Sequence, residues 1–133
     1  MSRINARRNA FSLLFQYDFI DIQEIAENKK IFFNENPEIE ESDKKYILET
    51  VDGTMKNLEK IDTIIGEHAK GWTIERMSKV DLAILRLAVY EMMFSDEAPN
   101  SVAINEAVEL AKKYSSDEAP SFINGILGKI SQG

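Results

Sequence analysis

The chain has no cysteine, one histidine, one tryptophan and three prolines among 133 residues. Without a thiol there can be no disulfide, no thiolate nucleophile and no Cys-ligated zinc or iron–sulfur centre, and the composition suits a reducing compartment. No apolar run approaches the ~20 residues a membrane-spanning helix requires. The N-terminus carries basic residues but lacks an apolar segment followed by a small-residue cleavage site, so no signal peptide is expected. The sequence therefore reads as a soluble, cytoplasmic protein. His68 cannot build a Ser-His-Asp set or a histidine metal cluster by itself, and no phosphate-cradling glycine loop is present. His68 reads as a capping or solvent-facing group, and Glu40 and Glu41 as a solvated acidic loop. On this chemistry no enzyme, cofactor or metal is expected.

What the chain does have is enough apolar material for a core and an uneven charge distribution. The apolar fraction is 44% and the net charge is −7. A chain of this length buries about two-thirds of its unfolded surface, so one domain over 1–133 is expected, with helical halves of about 1–70 and 71–133. The acidic total argues against general nucleic-acid binding. However, residues 1–17 contain Arg3, Arg7 and Arg8 and no acid, whereas Asp21, Glu24, Glu27, Glu35, Glu38, Glu40, Glu41 and Asp43 crowd the next stretch. Screening confines each charge to about 8–10 Å. A basic patch can thus hold phosphate while the acidic body draws a basic protein.

Apolar spacing predicts helices throughout and no strand. Residues 3–20 form an aromatic-rich helix, 22–33 a weaker one. Ser42 is expected to cap a third helix, whose stripe of Ile47, Val51, Met55, Leu58, Ile61 and Ile65 runs past five turns, with Gly53 and Gly66 as its breaking points. Gly71-Trp72-Thr73 is the expected joint between halves. The segment KVDLAILRLAVYEMMF, 79–94, is apolar nearly all round, because Asp81, Arg86 and Glu91 point about 140° apart. Such a helix is buried. It is placed at the centre of the C-terminal half, where Arg86 needs a carboxylate and Asp81 suits the first turn. Helices capped near Asn100 or Ser101 and following Pro120 complete the chain.

Lys112 and Lys113 have an ordinary role closing a helix beside Glu109. Phe122 lies at the edge of the stripe Ile123, Ile126, Leu127 and Ile130. It can fill the core or, if exposed near cations, serve as a platform on which an unpaired base stacks. Asn105 and Asn124 have no physical account at this level.

VAINEAVELAKKY (102–114) followed by FINGILGKI (122–130) resembles the C-terminal signature of the NusB family of bacterial transcription antitermination factors. KVDLAILRLAVYEM, Trp72 and the run Arg3, Ala6, Arg7, Ala10, Leu14, Phe15 and Gln16 extend the likeness over nearly the whole chain. The same fold begins some ribosomal RNA cytosine methyltransferases, whose catalytic domain has no counterpart in this sequence. The resemblance implies an all-α fold of two packed three-helix bundles. It also implies binding of single-stranded boxA RNA together with the ribosomal protein NusE in a transcription elongation complex. Arg3, Arg7, Arg8, Lys113, Asp117, Glu118 and Phe122 would meet RNA, and Phe15 and Asp81 the protein partner. Ile4 and Asn5 stand where relatives often carry further cations, and Asn100 where a tyrosine sometimes occurs. Neutralising about three to five phosphates predicts a salt slope near −2 to −3.5, at ~0.7 per phosphate. The competing class is a protein-only helical scaffold or oligomerisation module built on the aromatic face of 11–19. Monomer and homodimer both fit the sequence.

Overall fold

The computed structural model describes residues 3–133; Met1 and Ser2, counted in the single domain expected over 1–133, lie outside the described residues. The described chain is all-α: α1 (Arg3–Tyr17), α2 (Ile25–Glu35), α3 (Glu41–Lys56), α4 (Leu58–His68), α5 (Lys79–Phe94), α6 (Asn100–Tyr114) and α7 (Ala119–Gln132), with short 3-10 turns at Ile22–Glu24 and Ile74–Arg76. Among the described residues no helix is long and apolar enough to cross a membrane.

α5 begins and ends where its all-round apolar pattern predicts, with the Ser78 hydroxyl accepting from the Asp81 amide as an N-cap. Its position is broader than the sequence suggested. It packs against α6 and α7 and also against α1, α3 and α4, so it is the axis for helices of both halves. Ile84, Leu85 and Val89 on it are fully buried, as are Leu13 of α1, Ile47 and Val51 of α3, and Ile123 and Leu127 of α7. One contiguous core joins them. Arg86 finds its predicted carboxylates. Its Nε and Nη2 each donate to Asp62 over 2.8 Å, and Nη1 donates to Asp18 over 3.2 Å.

Three local expectations give way to tertiary structure. The long helix breaks at Asn57, not at a glycine: Asn57 leaves helical geometry at φ −105° and ψ 17°, and its side-chain amide donates to the Gly53 carbonyl at 2.8 Å. Gly53 stays helical, and the Tyr90 ring of α5 occupies the space a Cβ there would need. Ser42 lies inside α3, whose N-cap is Glu40. Pro120 sits within the first turn of α7 rather than ahead of it, a turn that needs no amide from it. At the expected joint, Gly71 alone among the described residues takes a positive φ, 79°.

Candidate nucleic-acid interface

The loop after α4, the start of α5 and the start of α7 meet at one end of the molecule. Thr73 and the following 3-10 turn carry Trp72 and Arg76 to this end, and the α6–α7 connection carries Ser116 and Glu118. These residues, with Asp81 and Phe122, line an open cavity of about 440 Å³. Phe122 is half-buried, its ring meeting Trp72 edge to face at 5.6 Å between centroids. Such a pair is worth about 0.5–1.5 kcal/mol beyond its buried area, which favours this mutual orientation. Trp72 remains 47% exposed, and the Arg76 guanidinium lies 5.6 Å from its ring. Asp81 accepts from the Ser115 hydroxyl, which ties the end of α6 to the first turn of α5. Asp117 and Glu118 are exposed.

α1 runs beside α5 and brings a second set of groups along the flank. The rings of Phe19, Phe15, Phe11 and Tyr114 follow one another at centroid separations of 5.1, 6.3 and 5.3 Å. This joins α1 to the last residue of α6. Lys113 is exposed with its ammonium 5.4 Å from the Tyr114 ring, and Arg8, one helical turn before Phe11, has no carboxylate partner among the described residues. Phe15 is half-buried on this face. Beyond it Phe19 and Ile22 are 60% and 81% exposed, next to the exposed acids Asp21 and Glu24.

The three arginines expected to act together do not. Arg7 is 6% exposed, and its Nε donates to both carboxylate oxygens of Glu91 at 3.1 and 3.0 Å. Tyr46 donates its hydroxyl to the same carboxylate at 3.2 Å. Burial pushes the Glu91 carboxyl above the usual range, and Arg7 and Tyr46 pull it part of the way back. The assignment of Arg7 to phosphate is therefore corrected: its guanidinium is a buried counter-charge. Arg3 lies over the Tyr46 ring at 4.1 Å and meets Asp43 and Glu97 at 3.9 and 4.0 Å. It sits at the far end of α5 from Phe122. Glu91 and Asp81 are ten residues apart, about 15 Å along a helix. Arg8 and Lys113 are the cations nearest the expected role. Sequence reading missed Arg76, Ser115 and Tyr114. The single tryptophan in the Gly-Trp-Thr joint was the available signal for a cavity wall there.

Among the described residues no group of His, Asp and Glu could hold a metal ion, and His68 spends its Nδ1 on the Ile64 carbonyl at 2.8 Å. The fold and this surface define a helical binding protein, with rings and unpaired cations along one flank and exposed acids beyond them. The chain belongs to the NusB family, whose model matches residues 4–132. It is 50% identical over 131 residues to the transcription antitermination protein NusB of Acetivibrio thermocellus, covering 98% of this chain and 88% of that one. With the protein of the same name from Agathobacter rectalis the identity is 44% over 130 residues, 98% and 99% of the two chains. NusB of T. maritima superposes with a TM-score of 0.87 at 33% identity, over 99% and 92% of the chains. A crystal structure of antitermination factors NusB and NusE in complex with dsRNA matches with a TM-score of 0.82 at 30% identity, over 99% and 98%.

Proposed function

We propose that this protein is a cytoplasmic transcription antitermination factor that binds single-stranded boxA-type RNA jointly with the ribosomal protein NusE, within the elongation complex and without catalysis. The observation that carries the reading is the Trp72–Phe122 ring pair, open to a cavity of about 440 Å³. An unpaired base presents a π-face to such a platform and hydrogen-bonding edges to its surroundings. Glu118 and Asp117 accept from base amino groups, while Arg8 and Lys113 hold phosphates. Arg3 holds a more distant phosphate once its weak contacts with Asp43 and Glu97 are released. Phe15 and Asp81 face the basic protein partner, which the exposed acids of residues 21–41 attract.

The chemistry is recognition. Splayed bases lose stacking in water and regain it on the protein, at about 1–3 kcal/mol per base. Phe122→Ala is expected to lower affinity for a boxA-type oligoribonucleotide by that amount while the helical circular dichroism is retained. Unchanged affinity with an unchanged spectrum would remove Phe122 from the site. The protein-only scaffold is favoured by the exposed Phe19 and Ile22. It predicts no RNA binding at low or high salt, with or without NusE, and self-association that Phe19→Ser abolishes.

A further inference from the structure

The Trp72–Phe122 pair is a ridge with a trough on each side. One trough is the cavity bearing Asp81 and Glu118. The other is a groove of about 200 Å³ between the end of α4 and the outer face of α7, which Trp72 and Phe122 also line. Its walls include Lys70, Gly125 and Lys129. Both lysines are exposed, and neither has a carboxylate partner among the described residues. On a chain of net charge −7 these two cations remain available to an anion, whereas Arg7, Lys29, Lys79, Arg86 and Lys112 meet acids. The floor at Gly125 is open, since a Cβ there would meet nothing within 4 Å. An exposed indole flanked by unmatched ammonium groups has the composition of a single-strand track, in which rings take bases and cations take phosphates.

We propose that the RNA strand continues past Phe122, stacks a second base on Trp72, and lays its next phosphates against Lys70 and Lys129 in the α4–α7 groove. This rests on the RNA reading above and extends its footprint away from α1. A duplex cannot use the ridge, because its bases are already stacked on one another. The two troughs thus divide the work. Glu118 and Asp117, on the side of the first cavity, read base edges, and ammonium groups on the α7 side hold backbone.

The test compares a boxA-type single strand of about 10 nucleotides with versions extended by about 4 nucleotides at either end, lengths within the range such sites cover. Affinities are measured with NusE present over a salt series. One extended strand is expected to bind about fivefold or more tighter than the short one, the gain of at least one stacked base. The exposed double substitution Lys70→Ala/Lys129→Ala should erase that gain and lower the salt slope of the extended strand by about 1.4, at ~0.7 per phosphate, leaving the short strand unaffected. Trp72, the chain's single tryptophan, gives a second readout: the productive extension should quench its fluorescence beyond what the short strand does. Short-strand binding with no gain from either extension overturns the inference, as does a gain and quenching that survive the double lysine substitution. Absence of binding by every strand overturns the RNA reading itself. In that case the short strand fails too, which separates the two failures.

Discussion

Removing either partner of the buried Arg7–Glu91 pair should destabilise the protein by similar amounts at neutral pH and by different amounts in mild acid. Both side chains are nearly inaccessible, 7% for Arg7 and 2% for Glu91, so truncating one leaves a charge in a poorly solvated site. That costs about 3–5 kcal/mol, a large part of the 5–15 kcal/mol that holds a typical domain together. For a chain of this length it corresponds to a fall in Tm of roughly 10–20 °C. The two variants then diverge. In Glu91→Ala the stranded group is a guanidinium, which does not deprotonate. In Arg7→Ala the stranded group is a carboxyl already pushed up by burial, and losing Arg7 raises it further. A carboxyl raised above its unfolded value gives stability that is present below the unfolded pKa and lost as pH rises through the folded one. The deficit of Arg7→Ala relative to wild type should therefore shrink by about 1 kcal/mol or more between about pH 7 and about pH 5, whereas that of Glu91→Ala should not. Urea denaturation followed by circular dichroism across this range measures both. A stable Arg7→Ala protein with weakened RNA binding and a lower salt slope would refute the burial argument and return Arg7 to the phosphate site.

Gly53→Ala should cost about 1–3 kcal/mol by overpacking, since its Cβ would intrude on the Tyr90 ring; pairing it with Tyr90→Leu should restore most of the loss in thermal melts. Arg86→Lys keeps the charge but loses the two-pronged contact with Asp62, and a loss of about 1–3 kcal/mol is expected in the same assay. Arg8→Ala and Lys113→Ala should each lower the salt slope for boxA-type RNA by up to about 0.7 with little change in Tm; an unchanged slope in both would place the phosphates elsewhere.

The helices were legible because their signals are local. α5 carries an all-round apolar sequence, which follows from the residues between Lys79 and Phe94 alone; its Ser78 cap emerged with the structure. The need of Arg86 for a carboxylate was equally plain, since an unpaired buried cation is costly wherever it lies. Its partner Asp62 was not, being 24 residues away on a different helix. The break at Asn57 and the helical Gly53 went the other way. Propensity favours a glycine break, but the Tyr90 ring requires a residue without a side chain at that point of α3, and this requirement is visible only once α5 is in place.

The same division runs through the binding surface. The sequence by itself determined an all-α chain without cysteine and with a single histidine, a family likeness over nearly its full length, and the residue types proposed to meet RNA: cations near the N-terminus and an aromatic at the edge of the last helix. Which cations are available was decided only by the tertiary structure. Arg7 and Arg8 are adjacent in sequence, yet the ~100° turn between neighbouring helical positions sends one to Glu91 in the core and leaves the other outside. The fold also placed Trp72 against Phe122, fifty residues later in the chain. Composition reports how many charges and rings a protein has; packing settles which of them still face water.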